Sequence, residues 1–150
     1  IHINSSDFSP GLRPRIYWTN IPIKEWEDKN LKLFSILQKN VDKKYFISET
    51  KKEFIKRNKV KLKFPRDKAF TIPSQFWKQG KQECRNLILD NGKWRRFTPI
   101  EVERIHTLPD NYTKGVSDTR RYMGIGNGWT IDVIAHLFKI LKKQNDKNRL

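Results

Sequence analysis

Residues 95–112 read RRFTPIEVERIHTLPDNY, and the start of a helix is written into them. In Thr98-Pro99-Ile100-Glu101 the hydroxyl can accept from the backbone N–H three residues on, and the carboxylate can reach back to the cap. Proline sits at the first helical position, where its missing N–H costs nothing. The helix should run to about Thr107 and stop ahead of Pro109. Downstream, Ser117 can cap a short helix through Tyr122. Gly124-Ile125-Gly126-Asn127-Gly128 reads as a tight glycine turn. Trp129, Val133, Leu137 and Ile140 then mark an amphipathic helix that ends at Lys142 and Lys143, where cations suit its C-terminus. Upstream, residues 85–89 and 94–97 flank Asp90-Asn91-Gly92-Lys93, and Asn-Gly supplies the two positive-φ positions of a hairpin turn.

Further out, residues 15–21 are rich in β-formers between Pro14 and Pro22 and read as a strand. Leucines 31, 33 and 37 with Phe34 and Ile36 suggest a short helix over 29–38. Residues 43–48 look extended, and 49–56 read as another short helix. The fold class is therefore α/β, built from short strands and helices with no internal repeat.

Composition narrows what such a chain can do. Its 150 residues carry 32 Lys+Arg against 16 Asp+Glu, a formal net charge of +16. Nine Phe, five Trp and four Tyr are enough to build a core, which argues against uniform disorder. No apolar run approaches the ~20 residues that span a bilayer. The single cysteine excludes a disulfide framework and a thiolate zinc site, and fits a reducing compartment. The start, Ile1-His2-Ile3-Asn4, has no initiator Met, cationic segment or apolar signal core, and reads as an interior cut. The excess positive charge points to a polyanion, nucleic acid first. Residues 24–93 hold 19 basic and 9 acidic side chains, and within them 51–68 reads KKEFIKRNKVKLKFPRDK. Phe54, Ile55, Val60, Leu62 and Phe64 interleave with its cations, so this run should fold while presenting Lys51, Lys52, Lys56, Arg57, Lys59, Lys61, Lys63 and Arg66 to phosphates.

Few residues look catalytic by themselves. Gly124-x-Gly126-x-Gly128 has the wrong spacing for a dinucleotide loop, but it places backbone N–H groups at a helix start, where an anionic or polar ligand can sit. Cys84 has no histidine near it in sequence and reads as a buried structural thiol. His2, His106 and His136 form no metal-ligand spacing; the latter two are expected on helix surfaces or interfaces. Glu101 and Glu103 fall on different helix faces and form no acid–base dyad. Arg13-Pro14-Arg15 stands apart, because residues i and i+2 of an extended segment share a face, and both guanidinium groups can address one phosphate or base edge. Two solvated arginines remain the plainer reading of that tripeptide.

Taken in order, the motifs resemble those of bacterial and phage DNA (cytosine-5-)-methyltransferases. Residues 9–20, SPGLRPRIYWTN, are similar to the family's Q-x-R-x-R block, with Gly11 in place of the glutamine and Pro14 in the middle. Residues 95–112 resemble the R-x-L-T-P-x-E-x-x-R-L-x-x-F-P-D-x-Y block, and Ile125-Gly126-Asn127-Gly128-Trp129-Thr130 resembles the final G-N-(A/G/S) block. Residues 33–48 look like the start of a target-recognition domain. The family's Pro-Cys-Gln, Glu-Asn-Val and F-x-G-x-G motifs do not occur in this sequence.

The resemblance implies a division of the chain. Residues 1–22 would end the catalytic domain with the R-x-R strand, and 23–94 would be the target-recognition domain. Residues 95–143 would hold its organising helix and the returning C-terminal helix, leaving 144–150 as a frayed tail. The C-terminal helices would complete a Rossmann-like methyltransferase domain. Arg13 and Arg15 would support the pocket of a cytosine flipped out of duplex DNA, Arg15 contacting the base. Arg95, Thr98, Glu101 and Arg104 would form an internal polar network, and Asn127, Gly128 and Trp129 would close over S-adenosyl-L-methionine. The complete enzyme would methylate C5 of cytosine at a specific site, in a bacterial or phage-infected cytoplasm. This chain alone would be inactive, would bind the cofactor weakly or not at all, and would need the missing N-terminal catalytic part as partner. Without it, the chain would pair with a second copy through the apolar face of Trp129, Ile134 and Phe138. Two other readings stay open: a stand-alone basic DNA-binding module, and an RNA-binding protein whose aromatics stack on single strands.

Overall fold

The computed structural model describes residues 1–64, 66–78, 80–139 and 141. It holds two small antiparallel sheets and four α-helices, linked by 3₁₀ turns and long irregular connections. Strand β1 (His2–Asn4) pairs with β2 (Pro14–Ile16), with Ile3 opposite Arg15. The expected strand over 15–21 is therefore much shorter: the pairing runs out at Tyr17, whose backbone exchanges two hydrogen bonds with Ile1, and beyond it Trp18 is 90% exposed. The hairpin of β3 (Ile88–Asp90) and β4 (Lys93–Arg95) closes as its Asn-Gly turn requires, with positive φ at Asn91 and Gly92. Its first strand starts late because Glu83–Asn86 forms a 3₁₀ turn in place of strand.

Helix α1 (Glu49–Arg57) is capped by the Ser48 hydroxyl. Helix α2 (Pro99–Ile105) carries both arms of the Thr98–Glu101 capping box, and Ser117 caps α3 (Asp118–Asn127). The remaining helix, α4, covers Ile131–Leu137. Two other elements are tighter than periodicity suggests. The helix expected over 29–38 is a 3₁₀ turn at Leu33–Ile36, and 43–48 begins with a 3₁₀ turn at Lys43–Tyr45 before Phe46 bridges to Arg95.

The glycine turn is the clearest correction. Residues 124–127 continue α3, and only Gly128 caps it. Gly126 is there for packing, since a Cβ would lie 2.5 Å from the Pro73 carbonyl, where α3 crosses the connection ahead of Phe76. A pattern of glycines cannot distinguish a turn from a close helix crossing. Of the expected final helix, Ile140, Lys142 and Lys143 lie outside the described residues, as does the expected frayed tail.

The main core joins α2 and α3 to the segments around residues 33 and 72–76 through Leu33, Ile72, Phe76, Phe97, Val102 and Ile125. Tyr122 is buried among them and donates from its hydroxyl to the Phe97 carbonyl at 2.7 Å. A smaller cluster of Ile3, Phe8, Val133 and Leu137 fastens α4 to the β1–β2 end. Among the described residues, no helix is long and apolar enough to cross a membrane.

Candidate functional site

The two arginines of Arg13-Pro14-Arg15 have opposite surroundings. Arg13 is buried, and its guanidinium donates to the carbonyls of Ile72 (3.2 Å), Gly126 (3.0 Å) and Gly128 (2.9 Å). Burial, then the neighbouring Arg15, lowers its pKa from the ordinary arginine value. Arg13 thus ties the start of β2 to Ile72 and to the end of α3, while its Nε has no partner among the described residues. The Arg15 side chain is exposed and donates only locally, to the Pro14 carbonyl at 2.8 Å. Gly11 is buried where the family block has glutamine; a Cβ there would meet the Ile105 γ-methyl at 2.6 Å. The α2 side chain occupies that space.

Arg15 lines an open groove of about 350 Å³ together with Trp18, Trp129, Ile134 and Phe138. The β2 arginine and the Trp129 segment, more than a hundred residues apart, therefore share one wall. Trp129 is exposed in its wall, Asn127 is exposed two residues before it, and the Gly128 carbonyl accepts from Arg13. Helix α4 begins here without a side-chain cap of its own. The end of α2 supplies the missing partners: the His106 carbonyl accepts from Ile131 N–H at 3.0 Å, and Thr107 Oγ1 accepts from Asp132 N–H at 2.9 Å. Thr107 adopts a left-handed φ of 56° to do so.

His106, expected at a helix surface or interface, is instead buried at 2% exposure. Burial, then the charge of Arg13, pushes its pKa down to about 4, while the Trp129 backbone pulls weakly the other way and Arg15 adds to the depression. The folded state therefore holds the ring neutral where the unfolded chain would bind a proton. Stability is fully present above the unfolded pKa near 6.5 and falls as pH drops toward 4. We expect a loss on the order of 2–3 kcal/mol across that window, measured by chemical denaturation at stepped pH. His106→Gln should flatten the curve there; an unchanged slope would refute the assignment. Glu103, Asp110 and Asp118 all have lowered pKa values, so their losses belong to more acidic solutions.

Arg95, Thr98 and Glu101 meet beneath the hairpin. Arg95 and Glu101 are 1% and 0% exposed and form a two-pronged ion pair at 2.8 and 2.9 Å. Burial works against the Arg95 charge, but Glu101 and then Asp90 outweigh it, and the Arg95 pKa is raised. Glu101 also accepts from the backbone N–H groups of Thr98 and Gln38, each at 2.8 Å, so its lone pairs are well used. Arg104 points elsewhere: it grips Asp110 with two donors at 2.7 and 2.6 Å and donates to the Ile36 carbonyl at 2.8 Å. Sequence reasoning gave Glu103 no role. It is fully buried and accepts from Asn111 N–H, Thr113 N–H and Arg121, which folds the connection between α2 and α3 onto α2. Its position inside a helix start marks it as buried only once the connection is seen to return.

The basic run separates into two groups. On α1, Lys51 lies over the Phe54 ring and Lys52 pairs with Glu49, while Lys56 and Arg57 are exposed. Past α1, Lys59, Lys61 and Lys63 line a second groove with Phe70, Lys81 and Arg85. Arg66 is half-buried and donates to the Lys63 and Leu87 carbonyls and to Asn86 Oδ1, an anchoring geometry. Cys84 is fully buried, and desolvation pushes its thiol pKa up, away from nucleophile chemistry. His136 packs against Phe8 and Trp26, with Nε2 3.0 Å from the Lys24 carbonyl. His2 lies in β1.

The fold is that of methyltransferases. It matches the structure of Entamoeba histolytica methyltransferase EhMeth with a TM-score of 0.66 at 18% identity, over 94% of this chain and 53% of that one. The chain belongs to the C-5 cytosine-specific DNA methylase family, whose model matches residues 10–143. It is 29% identical over 127 residues to the Type II methyltransferase M1.ScrFI of Lactococcus lactis subsp. cremoris, covering 73% of this chain and 32% of that protein. It is 36% identical over 53 residues to the Type II methyltransferase M.Sau3AI of Staphylococcus aureus, covering 35% of this chain and 13% of that protein. The chain thus spans a third or less of these relatives and about half of the solved structure.

Proposed function

We propose that this chain is the DNA-recognition portion of a DNA (cytosine-5-)-methyltransferase, working on a flipped cytosine in a specific duplex site. The observation that carries the reading is the shared wall of Arg15 and Trp129, with Arg13 holding both sides of it through carbonyls. An exposed guanidinium on a short paired strand can donate to the cytosine O2 as negative charge builds on the ring. Arg13 acts as a positioning residue, fixing the strand that carries Arg15. The division at residues 22, 94 and 143 follows the same reading, with the basic lobe over the DNA.

S-adenosyl-L-methionine, when bound, supplies the methyl group on its sulfonium. The exposed Asn127 amide and Trp129 indole fit one edge of such a ligand, offering a polar contact and an apolar face. The family's glycine-rich loop, cysteine and glutamate motifs are not in this sequence, so this chain by itself should bind the cofactor weakly and transfer no methyl group. Its site of action would be the cytoplasm, on nucleoid or phage DNA.

The partner that completes the groove would be the N-terminal catalytic half. Ile16, Trp18, Trp129 and Phe138 are 50–90% exposed along it, a large apolar area for a free surface. Mixing this chain with a matching N-terminal half should restore methyl transfer to duplex DNA. In light scattering, the chain alone should dimerise through this face, and the added half should replace the second copy. A monodisperse monomer would refute the dimer, and a complex with no methyl transfer would refute the enzyme reading in favour of a stand-alone DNA-binding module.

A further inference from the structure

Among the described residues, seven cations are paired with carboxylates. Lys29, Lys32, Lys44, Lys52, Arg95, Arg104 and Arg121 each form a salt bridge. Lys59, Lys61, Lys63, Lys81 and Arg85 do not, among the described residues, although they gather around one groove of about 420 Å³. Phe70 and Val60 supply its apolar wall, and no carboxylate lines it. Five cations held close without a compensating anion repel one another and call for a polyanionic occupant.

The groove also has a built floor. Asn86, 1% exposed, clasps the Phe70 backbone from both sides, accepting from its N–H at 2.9 Å and donating to its carbonyl at 3.1 Å. The Phe70 ring is thereby fixed, and the Arg85 guanidinium stacks on it at 4.3 Å. Stacking fixes the plane of the guanidinium while leaving its edges free to donate. Arg66, 5.6 Å from the same ring, braces the floor through Leu87 and Asn86.

Phe70 and Arg85 also line a neighbouring groove of about 430 Å³ that runs past Thr71 and Pro73 to Leu12 and Pro14, with Glu83 on its wall beside Arg85. The two grooves meet at Phe70 and Arg85; the first is basic, and the second, where Glu83 balances Arg85, leads on to the strand that presents Arg15. We propose that Lys59, Lys61, Lys63, Lys81 and Arg85 form a clamp for consecutive backbone phosphates of duplex DNA. Arg85 on Phe70 is the pivot from which the strand passes toward the Arg15 groove. The clamp reads no bases and sets the register of the duplex against the base pocket. This rests on the DNA-recognition reading above.

The test is fluorescence anisotropy of this chain on a short fluorescein-labelled duplex over a range of salt concentrations. Each phosphate contact contributes ~0.9 to the slope of log K against log salt. Lys81→Gln and Arg85→Gln should each lower the slope by about 0.9, and the Lys59→Gln/Lys61→Gln/Lys63→Gln triple variant by roughly two to three such steps. Lys114→Gln, on the far connection, is the comparison, and unchanged thermal midpoints establish that each variant folds. Clamp variants that match Lys114→Gln while the wild type binds strongly would overturn the clamp alone. A wild type with no affinity for duplex would overturn the DNA reading itself. Preference for single-stranded oligonucleotide, lost in Phe70→Leu, would overturn the duplex assignment in favour of base stacking.

Discussion

Arg15→Ala, assayed with a matching N-terminal half, is expected to lower methyl transfer by at least ~10²–10³-fold, the cost of removing one donor aimed at developing charge. The salt dependence of duplex binding should hardly change, because Arg15 makes one contact among many phosphate contacts. Two quantities thus separate base engagement from duplex binding: the rate of methyl transfer at saturating DNA, and the salt slope. Activity left intact would show that Arg15 does not engage the base. Arg13→Ala should behave differently. It strips donors from the Ile72, Gly126 and Gly128 carbonyls, so its thermal midpoint should fall along with activity. Measuring both arginines side by side distinguishes a residue that touches the base from one that positions it.

Glu101→Ala is expected to destabilise the chain by ~3–5 kcal/mol, because it leaves the Arg95 charge buried with its principal partner gone. Asp90 retains one contact to Arg95 at 2.6 Å, which softens the loss without replacing the two-pronged pair. The same change removes the acceptor for Thr98 and Gln38 N–H, so one arm of the helix cap goes with it. Denaturant unfolding measures the sum. A loss below about 1 kcal/mol, typical of a surface pair, would mean that water reaches the pair and that the network does not hold the Gln38 segment to α2. Arg104→Ala is a useful contrast, because its partner Asp110 is largely solvated.

Legibility followed the range of the interactions involved. Helix starts were legible because caps are local: Thr98 with Glu101 and Ser117 with Arg120 N–H act within one turn. The Asn91-Gly92 hairpin was legible for the same reason, since two positive-φ residues define the turn. The glycines at 124–128 misled because Gly126 answers to Pro73, far away in sequence. His106 and Glu103 looked like ordinary helix residues because the segments that bury them return from residues 111–131.

By itself, the sequence determined that this is a basic α/β chain, where its three capped helices begin, and which blocks carry the family likeness. The tertiary structure decided the surroundings of the two arginines. Side by side in sequence, Arg13 and Arg15 look equivalent. The packing of α3 and the 72–76 connection surrounds one with carbonyls and leaves the other facing a groove. Likewise, a run of lysines in sequence became one helix face and one groove lined by cations only when Phe70, Lys81 and Arg85 arrived from elsewhere in the chain. Local hydrogen bonds are written in neighbouring residues, whereas desolvation and charge balance depend on whatever the fold brings alongside.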